Sequence, residues 1–416
     1  MKRALWAFVL VEIAANILAF DASAADINVG FVGDFSGVGA NMAQDQLDGF
    51  KLGIKHLGGR IGGNEFNFAV ADARHDQKIT LLAVERMLQN AHLAFLLLSI
   101  DAANIGQLLP IAANGKTLIL NLNSPPPNLA GKDCSASFFS LAGLSETVND
   151  LSGQFLQSRG YKSVVVAGPG NAAARAATQS LRRGFKGQIV EVISRPGEMD
   201  FSRDLQAIRL ASPDAVYLLH TGGMAVNFIR QSAEMFGKDR FLLYGPPNII
   251  DQTLLAASGI SALDIDSVGS WSEDLDIPVS RRMQTDFEAD YGRPASSYAA
   301  IGYDSAMLLD ATLRGVDKKN LGEDAMRTAM RRVEFASTRG SVRFDSNQFP
   351  IQTYLIRRVA QDSRDRIVNE QHGVFQKDVR DGHAGECPMR WSAEPIPKGE
   401  NGQPEPTRPA KPTKAG

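Results

Sequence analysis

Residues 27–37 read Ile-Asn-Val-Gly-Phe-Val-Gly-Asp-Phe-Ser-Gly, and this stretch decides the fold. Residues 27–32 have the pattern of a short β-strand, and residues 33–37 form a glycine-rich turn. Apolar residues then recur at helical spacing between positions 47 and 57 and stop at a pair of glycines, which predicts a helix. The folded protein is therefore expected to begin with a strand, a glycine turn and a helix.

The residues before this strand have the pattern of a secretory signal peptide. Lys2-Arg3 precedes an apolar run over 4–20, and Ala22-Ser23-Ala24-Ala25 supplies small residues at the spacing of a cleavage site. We predict cleavage after either of the last two alanines, so that residues 1–25 are a signal peptide and the mature chain is periplasmic. Glu12 interrupts the apolar run, and an uncleaved anchor is the alternative. That run is shorter than the ~20 residues that a spanning helix needs.

The bulk composition describes an ordinary globular protein. Hydrophobic residues make up 44% of the 416 residues and charged residues 22%, and the mature chain of about 390 residues has the usual length of two domains. The net charge of −2 offers no electrostatic attraction to a phosphate backbone, so nucleic acid is not an expected partner.

Strand and helix patterns alternate in two runs, separated by a proline-rich break at 125–127. The continuous apolar run at 93–98 is typical of a parallel strand that is covered on both faces. Two runs of similar size predict an α/β fold of two doubly wound lobes. Two late strands, at 341–344 and 352–359, are expected to be antiparallel. The other predicted strands lie at 66–71, 117–122, 163–167, 188–193, 214–219 and 241–244, and the other predicted helices at 77–90, 172–184, 202–210, 224–236, 279–291, 296–314 and 323–333.

The predicted lobes are each assembled from two segments. The N-terminal lobe takes residues 26–141 and 273–345, and the C-terminal lobe takes residues 142–272 and 346–391. Residues 392–416 are rich in Pro, Lys, Gly and Glu and are predicted to be a disordered tail.

No motif for catalysis or cofactor binding is complete. Gly115-Lys116-Thr117 ends like a phosphate-binding loop, but Pro110 occupies the position of its first glycine. Gly168-Pro169-Gly170 lacks the rest of a dinucleotide fingerprint, and the six histidines show no zinc spacing. His220 ends a predicted strand and is either a pocket residue or a hydrogen-bonded core residue. We therefore expect a binding protein with no cofactor and no metal, and a cryptic hydrolase is the enzyme hypothesis.

The expected place for a ligand is a crevice between the lobes. In doubly wound sheets the loops after the strands line such a crevice, and a hinge can close two lobes over a small molecule. These loops offer helix N-terminal amides and small side chains, which suit a carboxylate or another polar acceptor. The predicted cleft loops are 33–42, 99–104, 121–128, 168–174, 220–223 and 245–248.

An ordered set of short motifs resembles a known family. The motifs are the stretch at 27–37, Asp-Gly-Phe-Lys-Leu-Gly-Ile at 48–54, Asp200-Phe201-Ser202, Ser212-Pro213-Asp214-Ala215-Val216, Arg230-Gln231-Ser232-Ala233 and Tyr303-Asp304-Ser305-Ala306. From Asp26 to Met389 the chain resembles the type I periplasmic substrate-binding proteins of branched-chain amino-acid ABC transporters, the Leu/Ile/Val-binding type. The resemblance implies two doubly wound lobes joined by a multi-strand hinge.

The same resemblance implies a function. A monomer would capture a small organic solute, such as a carboxylate, an amide or an aromatic compound, and deliver it to an ABC transporter permease. The alternative is a ligand sensor or periplasmic partner protein of the same fold that has no transport role.

The chain contains two cysteines, Cys134 and Cys387. An even number in an exported protein suggests a disulfide, and two free buried thiols are the alternative. The motifs at 129–135 and 386–389 resemble a subgroup that binds varied organic compounds and has a cysteine at each place. That resemblance implies a Cys134–Cys387 disulfide.

The binding residues implied by the resemblance differ from those of amino-acid binders. The loops that hold a carboxylate correspond to Asp101-Ala102-Ala103 and Asn123-Ser124-Pro125, an aromatic position to Met42, and the acidic partner of an α-ammonium to Pro247. Burying an ammonium without a carboxylate is costly, so we expect a wider and less polar pocket that does not take an α-amino acid. Contacts one or two residues away, or a site with no tight ligand, are the alternatives. The remaining predicted contacts are Ser36, Ala173 and Thr221.

Overall fold

The computed structural model describes residues 27–37, 39–317 and 321–389. The predicted signal peptide at 1–25 and the predicted tail at 392–416 lie outside these residues. Within the described part of the chain, no helix is long and apolar enough to cross a membrane.

The first lobe is built on a parallel sheet whose strands come from the start of the chain. Its strands are β1 (Ile27–Gly33), β2 (Phe66–Asp72), β3 (Phe95–Ser99), β4 (Leu118–Asn121) and β5 (Phe138–Ser140), in the order β2-β1-β3-β4-β5. The helices between them are α1 (Ala40–His56), α2 (Gln77–Asn90) and α3 (Leu108–Asn114). All five residues of β3 are buried because helices cover both faces of the sheet, as its apolar run predicts.

The second lobe repeats this pattern on another sheet. Its helices are α4 (Ser145–Ser158), α5 (Ala172–Gly184), α6 (Ser202–Ala211), α7 (Gly222–Phe236) and α8 (Gln252–Ser258). Its parallel strands are β6 (Ser163–Gly168), β7 (Gln188–Ile193), β8 (Ala215–Leu218), β9 (Leu243–Gly245) and β10 (Asp266–Gly269), in the order β7-β6-β8-β9-β10. The two lobes confirm the predicted α/β fold.

The chain then returns to the first lobe through α9 (Pro278–Tyr291), α10 (Ser297–Arg314) and α11 (Glu323–Arg332). Helix α10 crosses α1 very closely, because glycines face the partner backbone. A Cβ on Gly302 would lie 2.0 Å from the carbonyl oxygen of Gln46, and one on Gly49 would lie 2.1 Å from that of Ala299. Only residues without a side chain permit this contact, which buries the face of α1 that carries Gln46, Gly49 and Gly53.

The last strands extend the second sheet with antiparallel pairs. They are β11 (Arg343–Phe344), β12 (Pro350–Gln361) and β13 (Ile367–Val379), where β12 pairs with β10, β11 and β13. The predicted antiparallel strand at 352–359 is therefore confirmed, whereas the strand expected at 341–344 is reduced to two residues. Six elements were not predicted from the sequence: β5, β10, β13, α3, α4 and α8. In β13, irregular pairing with β12 disrupts the alternation of buried and exposed residues.

Three passages of the chain connect the lobes: the segment after β5, the segment after β10, and the turn from β11 into β12. The segment after β13 comes back to the first lobe. Cys387 in this segment forms a disulfide with Cys134, as predicted, and Asp381 accepts a hydrogen bond from Asn347. Several passages of the chain and a covalent link therefore join the lobes.

Candidate functional site

A cavity of about 390 Å³ lies between the lobes, where the strands of both sheets end and the connecting segments cross. We call it the central cavity. The lining residues from the first lobe are Met42, Ile100, Asp101, Ala102, Leu122, Asn123, Ser124, Ser297, Tyr298 and Ile301. The second lobe and the connecting segments contribute Ala142, Gly143, Ser145, Val148, Pro246, Pro247, Asn248, Gly269, Ser270, Trp271, Arg339, Gln352, Tyr354 and Arg357. The size suits a small organic molecule.

Six of the ten predicted contact residues lie together in this lining: Met42, Asp101, Ala102, Asn123, Ser124 and Pro247. The other four lie outside it. Ser36 donates a hydrogen bond to Asp72, Ala103 is exposed, Ala173 is in the exposed first turn of α5, and Thr221 is exposed just before α7. The contact role of all ten remains a prediction.

The polar residues predicted in the first lobe are held by other protein groups. Asn123 donates from Nδ2 to the carbonyl of Ile100 at 3.1 Å and accepts at Oδ1 from Gln46 at 2.9 Å. Ser124 Oγ accepts from the backbone N–H of Ser145 at 2.6 Å, at the start of α4. Ser124 therefore bridges the two lobes at the edge of the cavity.

Asp101 lies at the rim of the central cavity. Its Oδ1 accepts from the backbone N–H of Ala103 at 2.8 Å, while its own N–H donates to Asp34 at 2.9 Å. Nε2 of His75 is 4.0 Å from Oδ2 of Asp101. The Asp101 side chain is 41% exposed, so this carboxylate is open to solvent while it accepts the hydrogen bond from Ala103.

The floor of the cavity contains two buried arginines that the sequence analysis did not single out. Arg357 on β12 donates twice to Ser267 Oγ, from Nε at 3.1 Å and Nη2 at 2.9 Å, and from Nη1 to the carbonyl of Trp271 at 3.0 Å. It is 1% exposed, and burial lowers the pKa of its guanidinium. An Arg-Arg pair inside an apolar strand pattern was the available signal, since charged residues are almost never fully buried without a partner.

The second arginine, Arg339, belongs to a buried network. Its Nε donates to Asp304 on α10 at 2.8 Å, and its Nη1 donates to the carbonyl of Leu141 at 3.0 Å and to Gln352 Oε1 at 2.8 Å. Its Nη2 is buried without any hydrogen-bond partner among the described residues. Gln352 in turn donates to the Tyr354 hydroxyl at 3.0 Å, so the network joins α10 to the connecting strands.

Two buried carboxyl groups lie behind Arg357. Burial raises the pKa of Glu273 to about 7, although Arg357 and a hydrogen bond from Asn369 oppose the rise. Burial also raises the pKa of Asp251, which accepts hydrogen bonds from the side chain and backbone of Ser297. Because Ser297 starts α10, Asp251 provides a second polar link between the lobes.

A second cavity, of about 610 Å³, opens at the side of the lobe junction and includes Asp45, Arg293 and Arg366. Its charged groups already pair with protein partners: Arg293 binds Asp45 and Asp48, and Arg366 binds carboxylates nearby. The central cavity is the better candidate site, since it retains unpartnered donors.

In the described ranges no cluster of His, Cys, Asp and Glu side chains could hold a metal ion. The buried His220 lies 3.0 Å from Ser194 Oγ, which itself donates to Asp204 at 2.6 Å. Burial lowers the pKa of His220 to about 4, and His220 is not among the residues that line the central cavity. This geometry fits the core-residue interpretation of His220.

Comparison with known proteins agrees with this architecture. The chain belongs to the periplasmic binding protein family, whose match spans residues 26–364. A search of curated proteins finds no match.

Solved structures share the fold at low sequence identity. A solute binding protein of an ABC transporter from R. palustris, in complex with benzoate, is 22% identical with a TM-score of 0.78, over 87% of this chain and 99% of that chain. Another from Rhodopseudomonas palustris BisB5, in complex with 3,4-dihydroxybenzoic acid, is 21% identical with a TM-score of 0.77, over 86% and 98%. A leucine binding protein from Thermotoga maritima is 17% identical with a TM-score of 0.70, over 84% and 98%.

Proposed function

We propose that this chain is a periplasmic solute-binding protein, which captures a small organic solute between its lobes and delivers it to an ABC transporter permease. The observation that carries this proposal is the central cavity, whose lining comes from both lobes and from the segments that connect them. A ligand at this place contacts all three parts, so binding favours the closed arrangement of the lobes.

The contacts across the cavity suit reversible closure. The lobes meet through a few polar links, such as Ser124 with Ser145 and Asp251 with Ser297. Hydrogen bonds of this kind contribute about 1 kcal/mol each, so a ligand that bridges the lobes can shift the balance between open and closed states.

The named relatives support the same role. Two are solute binding proteins of ABC transporters with aromatic acids bound, and a third is a leucine binding protein. The wide cavity, with Trp271 and Tyr298 in its lining, fits an organic solute with an apolar body.

Thermal unfolding in the presence of a broad solute panel tests the proposal. A solute that binds the folded state raises the midpoint by an amount that grows with its concentration. Ala102→Trp places a large ring in the cavity lining and is expected to abolish the shift. Ala113→Trp is the matched control, because Ala113 is exposed, outside the lining and not a predicted contact.

Uptake measurements separate transport from the other roles. Cells that lack this chain are expected to lose uptake of the solute found in the panel. Binding with unchanged uptake would favour a sensor or partner protein, and a panel without any shift would overturn the solute-binding proposal.

A further inference from the structure

We propose that the central cavity takes an organic anion, and that Arg357 and Arg339 hold its acidic group at the floor between the lobes. This inference rests on the proposed solute-binding function and names the class of solute. It also assigns the polar anchor to Arg339, in the turn before β11, and to Arg357 on β12, whereas the family resemblance implies the first-lobe loop at Asp101–Ala103.

The guanidinium of Arg357 has more N–H donors than the hydrogen bonds it forms. A guanidinium carries five N–H groups, and the structure gives those of Arg357 three hydrogen bonds, two to Ser267 and one to Trp271. Nη1 and Nη2 each keep one N–H without an acceptor among the residues that the structure describes. No carboxylate among the described residues forms an ion pair with Arg357, although its side chain is buried. A buried charge in this state is strongly stabilised by an anionic partner.

The guanidinium of Arg357 is also held in place. It lies against Gly269, where an added Cβ would be 2.8 Å from Nε and 2.9 Å from Cζ. Ser267 and Trp271 fix its edges from the same strand and the segment after it. A planar fork that is already oriented suits a carboxylate, because little side-chain entropy remains to be lost on binding.

Arg339 supplies the second donor group. Asp304, Leu141 and Gln352 occupy its Nε and Nη1, and its buried Nη2 has no partner in the described part of the chain. Because Asp304 neutralises Arg339, this residue contributes hydrogen bonds and Arg357 contributes the net positive charge.

The carboxyl groups around the cavity do not replace an anionic ligand. Glu273 and Asp251 are outside the cavity lining, and burial raises the pKa of both groups. Asp101 is the one carboxylate among the lining residues, and it lies at the exposed rim. A cationic group near the two arginines would therefore meet N–H donors and positive charge, whereas an acidic group would accept hydrogen bonds from the same N–H groups.

The rest of the lining defines the body of the solute. Met42, Val148, Trp271, Tyr298 and Ile301 contribute aliphatic and aromatic surface to the same cavity. Burial of apolar area supplies about 25 cal/mol per Å², so an apolar body attached to one acidic group uses both parts of the site.

Paired probes test the charge requirement in the unmodified protein. Benzoate, phenylacetate and hexanoate are each compared with their primary amides by calorimetric titration. Each amide keeps the shape of its acid and lacks the negative charge. We expect the best carboxylate to bind about tenfold or more tightly than its amide, as charge-assisted hydrogen bonds imply.

Two variants then test the residue. Arg357→Gln is expected to weaken binding of that carboxylate about tenfold or more and to change the binding of its amide less than twofold. Arg364→Gln is the matched control, since it removes one positive charge from the same hairpin at a side chain that is 70% exposed. Circular dichroism checks that both variants are folded.

The outcomes distinguish this inference from the proposed function. Solutes that bind while acids show no advantage over amides would overturn the anion inference and leave solute binding intact. The same holds if folded Arg357→Gln binds carboxylates as tightly as Arg364→Gln does. If no solute of the broad panel binds, the proposed function fails, and the inference fails with it.

Discussion

Replacing Asp304 by Asn removes the counter-charge of Arg339 at the junction of the lobes. Both side chains of this ion pair are at most 1% exposed. Besides the bond from Arg339, Asp304 accepts three hydrogen bonds, one from Ser337 and two from Thr338. Asparagine at this position lacks the negative charge, and its NH2 group would face one of these donors. Breaking a buried pair from one side is expected to destabilise the protein by about 3–5 kcal/mol.

This loss is large on the scale of folding. Domains are stable by about 5–15 kcal/mol, so Asp304→Asn should fold and unfold at a clearly lower urea concentration. Asp290→Asn is the control, because Asp290 pairs with Lys55 on the surface, where an ion pair contributes about 1 kcal/mol or less. Urea titrations at pH 7, followed by circular dichroism and tryptophan fluorescence, give the free energies, and coincident curves check two-state behaviour.

A double variant decides whether the loss comes from the unpaired charge. Asp304→Leu with Arg339→Met replaces both charges by apolar groups. Its loss in the free energy of unfolding should be smaller, by about 2 kcal/mol or more, than the sum of the losses of Asp304→Leu and Arg339→Met measured singly. Equal losses for Asp304→Asn and Asp290→Asn, or strict additivity in the cycle, would refute the reasoning.

Three further predictions address the rest of the fold. Gly302→Ala should lower the free energy of unfolding by about 1–3 kcal/mol despite the better helix propensity of Ala, because its Cβ meets the α1 backbone. Gly223→Ala, where the added Cβ meets open space, should leave the free energy of unfolding unchanged, and an undiminished value for Gly302→Ala would contradict the close crossing. Cys134→Ser with Cys387→Ser opens a link across 253 residues and should lower the unfolding free energy by about 2–5 kcal/mol in urea titrations without reductant; an unchanged midpoint would argue against a stabilising disulfide. Burial lowers the pKa of His220 to about 4, so its contribution to stability is present above pH 6.5 and is lost as the pH falls towards 4. His220→Gln should flatten the pH dependence of the unfolding free energy between about pH 4 and 6.5, and an unaltered slope would exclude His220 as its source.

Eight of the ten parallel strands could be predicted because their signal is local, whereas the short strands β5 and β10 were not predicted. A strand such as β3 is covered by helices on both faces, so its sequence is a continuous apolar run that is readable without knowledge of its neighbours. By contrast, β13 is partly exposed and pairs irregularly with β12, and its sequence does not alternate cleanly. β13 is therefore a strand because of its environment rather than its composition.

The candidate site shows the same division. Met42, Asn123 and Pro247 lie in predicted cleft loops because the ends of parallel strands follow directly from the strand pattern. Arg339 and Arg357 lie on late connecting segments, and nothing local indicates which cavity their guanidinium groups would reach.

The sequence by itself determined the alternation of strands and helices, and its ordered motifs indicated the family and the cysteine pairing. The tertiary structure alone decided the floor of the cavity. Residues 269–271, Arg339 and Arg357 meet there because β10 pairs with β12 while α10 returns to the first lobe. Their meeting depends on long-range strand pairing and on burial, which leaves guanidinium donors without partners among the described residues. Neither property is encoded in the spacing of the residues along the chain.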